Sequence, residues 1–298
     1  MAEDTGATGA KTHDGGAGVG TLLKAALPSI PVLGSLPGVR KASGDGFGGL
    51  AYQRPPVTVD GGHVAAYAEV CGFPRKDTVP LTYPHMLAFG LHMAIMTDPA
   101  FPAPAIGTVH LENSVTARRA VRVGETLHVA ARVEPPRPHA KGRVFDFVTT
   151  ITDPDGAPVW ESTSSYLRRG KGTEGAPAGL DVPTAASNGV VWNLPGDLGR
   201  RYAAVSGDHN PIHLYPLTAK ALGFPRQIAH GMWSLARCVA ALENRLPEAV
   251  TVDVAFKKPI LLPGKVAFGS ERYDDSYTFS LTDPRTGAPH LVGRSTTP

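Results

Sequence analysis

Cysteine is scarce in this chain of 298 residues, which contains only Cys71 and Cys238. Two cysteines are too few for a disulfide framework, and their separation excludes a C-x-x-C metal site. Both lie in apolar stretches, where we expect buried, reduced thiols. No Cys/His cluster has metal-ligand spacing, and no Gly-x-Gly-x-x-Gly follows a strand. We therefore expect neither a metal nor a redox cofactor.

Strong net charge and long apolar runs are also missing. Lysine plus arginine exceeds aspartate plus glutamate by only 29 − 26 = 3, and no long basic run is present. We therefore expect no nucleic-acid partner, although a small positive excess can attract a phosphate-bearing substrate. No stretch approaches the roughly 18 apolar residues of a membrane helix. Residues 1–20 lack the charged start and apolar run of a secretory signal. The expectation is a cytoplasmic protein without membrane contact.

An internal repeat is the main organisational feature that is present. The tetrapeptide Gly-Phe-Pro-Arg occurs at 72–75 and again at 223–226. Each copy is followed by a histidine, His85 or His230, and an apolar run typical of a helix. Two similar hairpin turns, at 153–158 and 283–289, follow in the same order. This shared order indicates duplication.

The segments between these landmarks predict two α+β units, each with one helix and an antiparallel sheet. Central helices are predicted at 84–96 and 230–246. Segments rich in β-branched and aromatic residues predict strands at 126–133, 144–152, 159–167, 251–256, 265–271, 277–281 and 290–293. Composition gives four regions: a disordered N-terminus (1–20), a first unit (21–170), a linker (171–189) and a second unit (190–298). The first unit begins with an apolar arm at 22–39.

The most informative segment is 202–213, Tyr-Ala-Ala-Val-Ser-Gly-Asp-His-Asn-Pro-Ile-His. A carboxylate and an imidazole, Asp208 and His213, are well suited to exchange a proton with water near neutral pH. Pro211 restricts its own φ and keeps the preceding residue out of the α region, which favours a bend. Gly207 permits a conformation that other residues resist. The two side chains are therefore expected to converge on one water molecule.

This segment resembles the signature of the MaoC-like, or (R)-specific enoyl-CoA hydratase, family: an aromatic, a small residue, then Gly-Asp-x-Asn-Pro-x-His. Ala229-His230-Gly231-Met232 resembles the start of that family's central helix. The resemblance is strong over about residues 195–296, and the first half resembles the degenerate N-terminal repeat of double-hotdog members. It implies an α+β double hotdog fold. It also implies reversible hydration of trans-2-enoyl thioesters to (R)-3-hydroxyacyl thioesters of coenzyme A or acyl carrier protein in fatty-acid metabolism.

The resemblance also assigns roles. Asp208 and His213 would be catalytic, and the Gly231 N–H would stabilise the oxyanion. Supporting positions of the motif are Tyr202, Ser206, Gly207, Asn210, Pro211 and His230. We expect His230 to be a structural hydrogen-bonding residue at the helix start. We assign no role to His209, because the family motif has no fixed residue at its position. His85 has no Asp-x-Asn-Pro-x-His before it and is interpreted as structural. Many relatives have a serine where this chain has Val239, although Ser234 lies earlier on the helix.

Only the second unit keeps the motif, so we expect one active site per chain, at the junction of the units. The first unit would supply an acyl pocket from Met86, Phe89, Gly90 and Met93, with Gly90 leaving space beside its helix; the same composition also fits a buried core. Two alternatives are a hotdog acyl thioesterase and a non-catalytic thioester-binding subunit of a larger complex. The assembly would be a monomeric pseudo-dimer or a homodimer.

Overall fold

A computed structural model of the chain describes residues 10–16, 47–105, 107–177 and 179–298. Within these ranges the strands form one large, mostly antiparallel sheet, and the central helix of each half packs against its own strands. The predicted leading arm, 22–39, lies outside the described residues. None of the helices in the described ranges is long and apolar enough to cross a membrane.

The first half contains most of the strands. They are β1 (Lys11–Thr12), β2 (Leu50–Gln53), β3 (Val57–Thr58), β4 (Thr108–Ala117), β5 (Thr126–Val133), β6 (Arg137–His139), β7 (Gly142–Thr152) and β8 (Pro158–Arg169). Its helices are α1 (Gly61–Cys71) and α2 (Pro84–Thr97). Strand β5 buries every second residue, as expected for a strand with one face on the core. Helix α2 begins at Pro84, carries mostly apolar side chains and packs against β2, β5 and β7.

The second half repeats this plan. Its strands are β9 (Ser187–Leu194), β10 (Val250–Phe256), β11 (Gly264–Tyr273), β12 (Ser276–Thr282) and β13 (Pro289–Thr296). Its helices are α3 (Leu198–Ser206), α4 (Pro211–Leu214), α5 (Pro216–Ala221) and α6 (Gly231–Leu242). Helix α6 packs against β12 and buries Leu235, Val239 and Leu242 completely.

The two halves join through β4 and β10, which pair antiparallel with Val115 opposite Val252. Outward from this junction the strand order is β4-β8-β7-β5-β2 on one side and β10-β13-β12-β11-β9 on the other. The two orders correspond strand for strand. The predicted pair of α+β units is therefore confirmed, and the sheet runs through both of them.

Helices α1 and α3 occupy corresponding places in the two halves. Each ends at a left-handed glycine, Gly72 with φ 79° and Gly207 with φ 73°, and the two helices pack on one another. The repeated Gly-Phe-Pro-Arg does not mark this correspondence, because its second copy follows α5 rather than α3. From the left-handed glycine to the central helix there are 84 − 72 = 12 positions in the first half and 231 − 207 = 24 in the second. The first half therefore lacks the additional segment that contains α4 and α5 in the second half.

Several segments differ from the sequence-based expectations. Strand β4 was not predicted, because its residues, Thr-Val-His-Leu-Glu-Asn-Ser-Val-Thr-Ala, mix polar and apolar types. Strand β9 begins inside the predicted linker, and the helix predicted at 230–246 ends at Leu242. Residues 10–16, expected to be disordered, instead contain β1, which pairs with β2. They are held by an ion pair between Lys11 and Asp98 and by the His13 N–H, which donates to the Gln53 carbonyl at 2.9 Å.

Candidate active site

The loop after α3 contains the Gly-Asp-x-Asn-Pro-x-His motif, residues 207–213. Gly207 ends the helix in the left-handed conformation and donates its N–H to the Ala203 carbonyl at 2.9 Å. The Asp208 N–H then donates to Ser206 Oγ at 3.1 Å. The chain thus turns sharply at Gly207 and directs Asp208 away from the helix axis.

Asn210 shapes the next turn. Its N–H donates to Asp208 Oδ1 at 3.1 Å, and its own Oδ1 accepts from the Ile212 N–H at 3.4 Å as the N-cap of α4. Pro211 occupies the first position of that helix, where its missing N–H costs nothing. The short helix α4 carries His213 back towards Asp208.

His213 has a tautomer fixed by its surroundings. Its Nδ1 lies 2.8 Å from the Ile228 carbonyl oxygen, which can only accept, so Nδ1 carries the hydrogen. The other ring nitrogen, Nε2, is then a proton acceptor. Burial lowers the pKa of His213, although Asp208 and the Ile228 carbonyl act in the opposite direction. The ring is therefore uncharged at neutral pH, and its Nε2 can accept a proton.

His230 holds the motif loop from the other side. Its Nε2 donates to the Asp208 backbone carbonyl at 2.9 Å and lies 3.8 Å from Asp208 Oδ2. Its ring stacks on His213 with centroids 3.7 Å apart and also contacts Tyr202 at 4.9 Å. Burial, with a contribution from His213, lowers the pKa of His230 to about 3. His230 thus remains neutral and contacts the loop as a hydrogen-bond donor.

Asp208 is the negative member of this group, and its side chain is 27% exposed. Burial alone would raise the pKa of its carboxyl group, but His230, His213 and the Asn210 N–H together hold that pKa below its usual value. A carboxylate therefore faces two neutral imidazoles at neutral pH. This combination can accept a proton from water and return it to carbon.

The start of α6 completes the site with a backbone donor. Gly231 is the first residue of the helix, so its N–H has no acceptor within the helix. A Cβ at this position would lie 3.1 Å from the Phe256 ring, which shows how closely that ring packs. Ser234 donates to the His230 carbonyl at 3.2 Å, and Val239 is completely buried. Neither residue supplies a hydroxyl to the catalytic pair.

The first half reaches the site through α2. The Tyr202 hydroxyl contacts the Met86 sulfur at 3.9 Å, and Phe89 lies beside the His85 ring at 6.2 Å. Met93 is buried in the core. Gly90 does not leave open space: a Cβ there would fall on the backbone carbonyl of Gly15. The expected space beside Gly90 is therefore wrong, because the ordered residues 10–16 fill it.

Two residues that contact the motif from outside were missed in the sequence. His63 bridges the halves: its Nε2 bonds the Val205 carbonyl and its Nδ1 the Tyr83 hydroxyl, both at 2.8 Å. Gly199, in the first turn of α3, packs directly under the His213 carbonyl. Neither residue stands in a recognisable pattern, because each acts through a contact between segments distant in the chain.

Asp208, His213 and His230 also offer ligand atoms that lie within 4.8 Å of one another. A metal bound through His230 Nε2 would compete with the hydrogen bond that this nitrogen already makes to the Asp208 carbonyl. His213 Nε2 and the carboxylate are the same atoms that proton transfer requires. The expectation of a metal-free reaction remains a prediction.

This chain is similar to several known proteins. Residues 193–283 match the model of the MaoC like domain. The 3-hydroxyacyl-thioester dehydratase X of Mycobacterium tuberculosis is 36% identical over 239 residues, which cover 79% of this chain and 85% of that protein. The crystal structure of HtdX from the same organism has a TM-score of 0.74 at 34% identity and covers 83% of this chain and 100% of that chain.

A further M. tuberculosis structure, described as a double hotdog fold, has a TM-score of 0.53 at 13% identity, covering 86% of this chain and 98% of that one. At that identity the likeness shows the fold alone. The predicted double hotdog fold is thereby confirmed. The extent of the match to dehydratase X, together with the matching domain model over the motif, shows that this chain belongs to the MaoC-like dehydratase family.

Proposed function

We propose that this chain adds water reversibly to trans-2-enoyl thioesters, giving (R)-3-hydroxyacyl thioesters, with Asp208 and His213 as its catalytic pair. The observation that carries the proposal is the fixed tautomer of His213. The Ile228 carbonyl holds its Nδ1–H at 2.8 Å, so Nε2 is left as a base beside an ionised Asp208. The relative at 36% identity is named a 3-hydroxyacyl-thioester dehydratase, which supports this reaction class.

In the hydration direction, a water molecule lies between the Asp208 carboxylate and His213 Nε2. The carboxylate accepts one hydrogen bond and orients the water. His213 Nε2 takes the other proton as the oxygen forms its bond to C3. The electron pair of the C2–C3 double bond moves towards the thioester carbonyl, which becomes an enolate oxygen. The catalytic pair, Asp208 and His213, then returns a proton to C2. Dehydration is the reverse of these steps.

The developing enolate needs a positive partner, which we assign to the Gly231 N–H. This donor stands at the start of α6, where the first amide hydrogens have no helical acceptor and the helix dipole favours negative charge. The absence of a side chain lets the thioester approach the amide closely. Loss of one such oxyanion donor costs on the order of a hundredfold in rate.

The acyl group would lie against α2, and each chain would have one active site, at the junction of the halves. Met86 supports this placement, since it is partly exposed and contacts Tyr202, and the partly exposed Phe89 lies one helical turn further along α2. Gly90 and Met93 do not support it, because the first is covered by Gly15 and the second is core. Met86→Phe should lower kcat/KM for long acyl chains more than for short ones, whereas an equal loss would contradict a pocket at this position.

The substrate carrier would be coenzyme A or acyl carrier protein, and the reaction would belong to cytoplasmic fatty-acid metabolism. The enzyme would act as a monomeric pseudo-dimer or as a homodimer. A hotdog thioesterase and a non-catalytic subunit are the competing assignments, and the intact Asp208–His213 pair disfavours both.

Incubation with crotonyl-CoA and longer enoyl-CoAs tests the assignment directly. Loss of the enoyl absorbance without release of free thiol is expected for the hydratase. Thiol release would indicate a thioesterase. Turnover that appears only when a partner protein is added would indicate a subunit that lacks activity by itself.

A further inference from the structure

The interior of the first half contains a group of polar side chains between α2 and the sheet. They come from α2, β4 and β8: His85, His92, His110, Asn113, Ser164 and Tyr166. Four of them are buried, with 1% of the surface exposed for His85, 0% for His92, 2% for Asn113 and 0% for Ser164. We call these six residues the first-half polar cluster.

Several atoms of the cluster have no protein partner. His85 Nδ1, His92 Nδ1 and Asn113 Oδ1 are buried and make no hydrogen bond within the described residues. His85 is the case nearest the start of α2: its Nδ1 is unpaired, while its ring contacts that of His92 at 5.3 Å. Buried polar atoms in folded proteins almost always have partners. The cluster therefore has hydrogen-bonding capacity that the protein itself does not use.

The cluster adjoins the catalytic pair. The charge of Asp208 acts on the pKa values of His85, His110 and Tyr166. The His110 ring also contacts the Phe256 ring at 4.9 Å, and Phe256 packs against Gly231. A continuous path of contacts thus runs from the proposed oxyanion donor to the cluster.

The fold itself does not require polar residues at this place. In the second half, where α6 packs against β12, the fully buried side chains include the apolar Leu235, Val239, Phe279 and Leu281. On α2, by contrast, His85, Phe89 and His92 follow one another at i, i+4 and i+7, so they share one face. His92 on that face reaches the sheet, where its Nε2 bonds Thr149 Oγ1 at 2.8 Å.

We propose that the first-half polar cluster is a subsite for an uncharged oxygen-bearing group, a hydroxyl or an oxo group, carried on the acyl chain beyond the reacting double bond. This inference rests on the proposed hydratase function. A neutral imidazole has one donor and one acceptor, which matches a hydroxyl group, and the amide and hydroxyl groups of the cluster add further capacity. A hydrocarbon chain would leave these atoms without partners.

The charge of the region selects against an ionised substituent. Burial lowers the pKa of His85 to about 4 and that of His110 to about 3, so both are neutral at neutral pH. The negative charge of Asp208 acts on the pKa values of His85, His110 and Tyr166 and would repel a carboxylate or phosphate on the acyl chain. The subsite therefore fits a hydroxylated or oxo-substituted acyl group and disfavours an acid.

The test compares kcat/KM for enoyl-CoAs of equal length with and without a hydroxyl group, placed at successive positions along the chain. The wild-type enzyme should prefer one hydroxylated isomer over the hydrocarbon by about tenfold, the size of one neutral hydrogen bond. His85→Phe should abolish that preference while retaining turnover of crotonyl-CoA. His128→Phe makes the same change at an exposed position on β5 and should leave the preference intact.

Two further measurements keep the test decisive. His85→Gln preserves a donor and an acceptor and should retain the preference, which a purely structural role for His85 would not explain. If His85→Phe does not fold, inhibition of the wild type by saturated acyl-CoAs should still show tighter binding of the hydroxylated ligand. Equal kcat/KM and equal inhibition for both series would overturn the subsite while leaving the hydratase assignment intact. Failure of the wild type to hydrate any enoyl-CoA would instead overturn the proposed function and the subsite with it.

Discussion

Gly199 offers a test of how strictly the packing of α3 positions the catalytic histidine. A Cβ added at this position would fall on the carbonyl oxygen of His213 and would lie 2.9 Å from its carbonyl carbon. Both atoms belong to the backbone of α4, so no side-chain rotation can relieve the collision. Gly199→Ala must therefore separate α3 from α4.

The required separation is about 1 Å, and a misplacement of that size typically costs about a hundredfold in rate. His213 would move relative to both Asp208 and the Ile228 carbonyl, so the loss should appear mainly in kcat. Alanine is the better helix former by about 1 kcal/mol, and this gain offsets part of the strain in the folded state. We expect a folded enzyme with kcat for crotonyl-CoA hydration lowered about a hundredfold.

Gly196→Ala is the matched control, because it lies three positions earlier and has room. A Cβ there would meet the Pro263 side chain at 3.5 Å, an ordinary van der Waals contact. This variant should hydrate crotonyl-CoA at close to the wild-type rate. A Gly199→Ala enzyme within threefold of wild type, with an unchanged melting temperature, would refute the argument that this glycine sets the position of His213.

Four other outcomes are expected. Asp208→Asn and His213→Ala should each lower kcat by about two orders of magnitude or more in folded protein, and a near-normal rate in either would remove that residue from the catalytic pair. Burial lowers the pKa of His85 to about 4 and of His230 to about 3, below the ordinary 6.5, so the unfolded chain binds more protons as pH falls below 6.5. The melting temperature should therefore fall between about pH 6.5 and pH 4; a flat profile in thermal melts would contradict buried neutral histidines. Incubation with a chelator should leave hydration unchanged, whereas loss of activity restored by a divalent ion would show a metal enzyme. Gly90→Ala should lower the melting temperature, because its Cβ would displace the Gly15 carbonyl, and an unchanged melting temperature would show that residues 10–16 do not pack there.

The sequence predicts those parts of the fold in which local pattern and tertiary environment agree. Strand β5 alternates buried and exposed positions over its whole length, and its predicted bounds, 126–133, are those observed. Strand β4 mixes polar and apolar residues because its buried face is divided: Asn113 bonds Ser164 in the polar cluster, whereas Val115 and Ala117 lie in the apolar core. Its pairing with β10 and β8 is a long-range property that local composition does not carry.

The candidate site shows the same division. The motif positions between Tyr202 and His213 could be read from the sequence, because they lie close together in the chain and their turns need particular residues such as Gly207 and Pro211. The contacts that position this motif segment come from residues outside it: the Ile228 carbonyl fixes His213, and His63 bonds the Val205 carbonyl. A backbone carbonyl can be supplied by any residue type, so the sequence has no signal for it. The unpaired Nδ1 of His85 is likewise visible only in three dimensions.

The pairing of β4 with β10 within one chain has a consequence for behaviour on dilution. When two separate subunits form such a sheet, the junction dissociates as protein concentration falls, and a site built across it is lost. Here the two partners are covalently linked, so their encounter is governed by a constant effective concentration rather than by the amount of protein. Specific activity should therefore stay constant down to concentrations at which an unlinked pair would separate. Because the halves are linked, neither has to be identical to its partner, so α2 can bury His85 and His92 in the first half while α6 buries Leu235 and Val239 in the second.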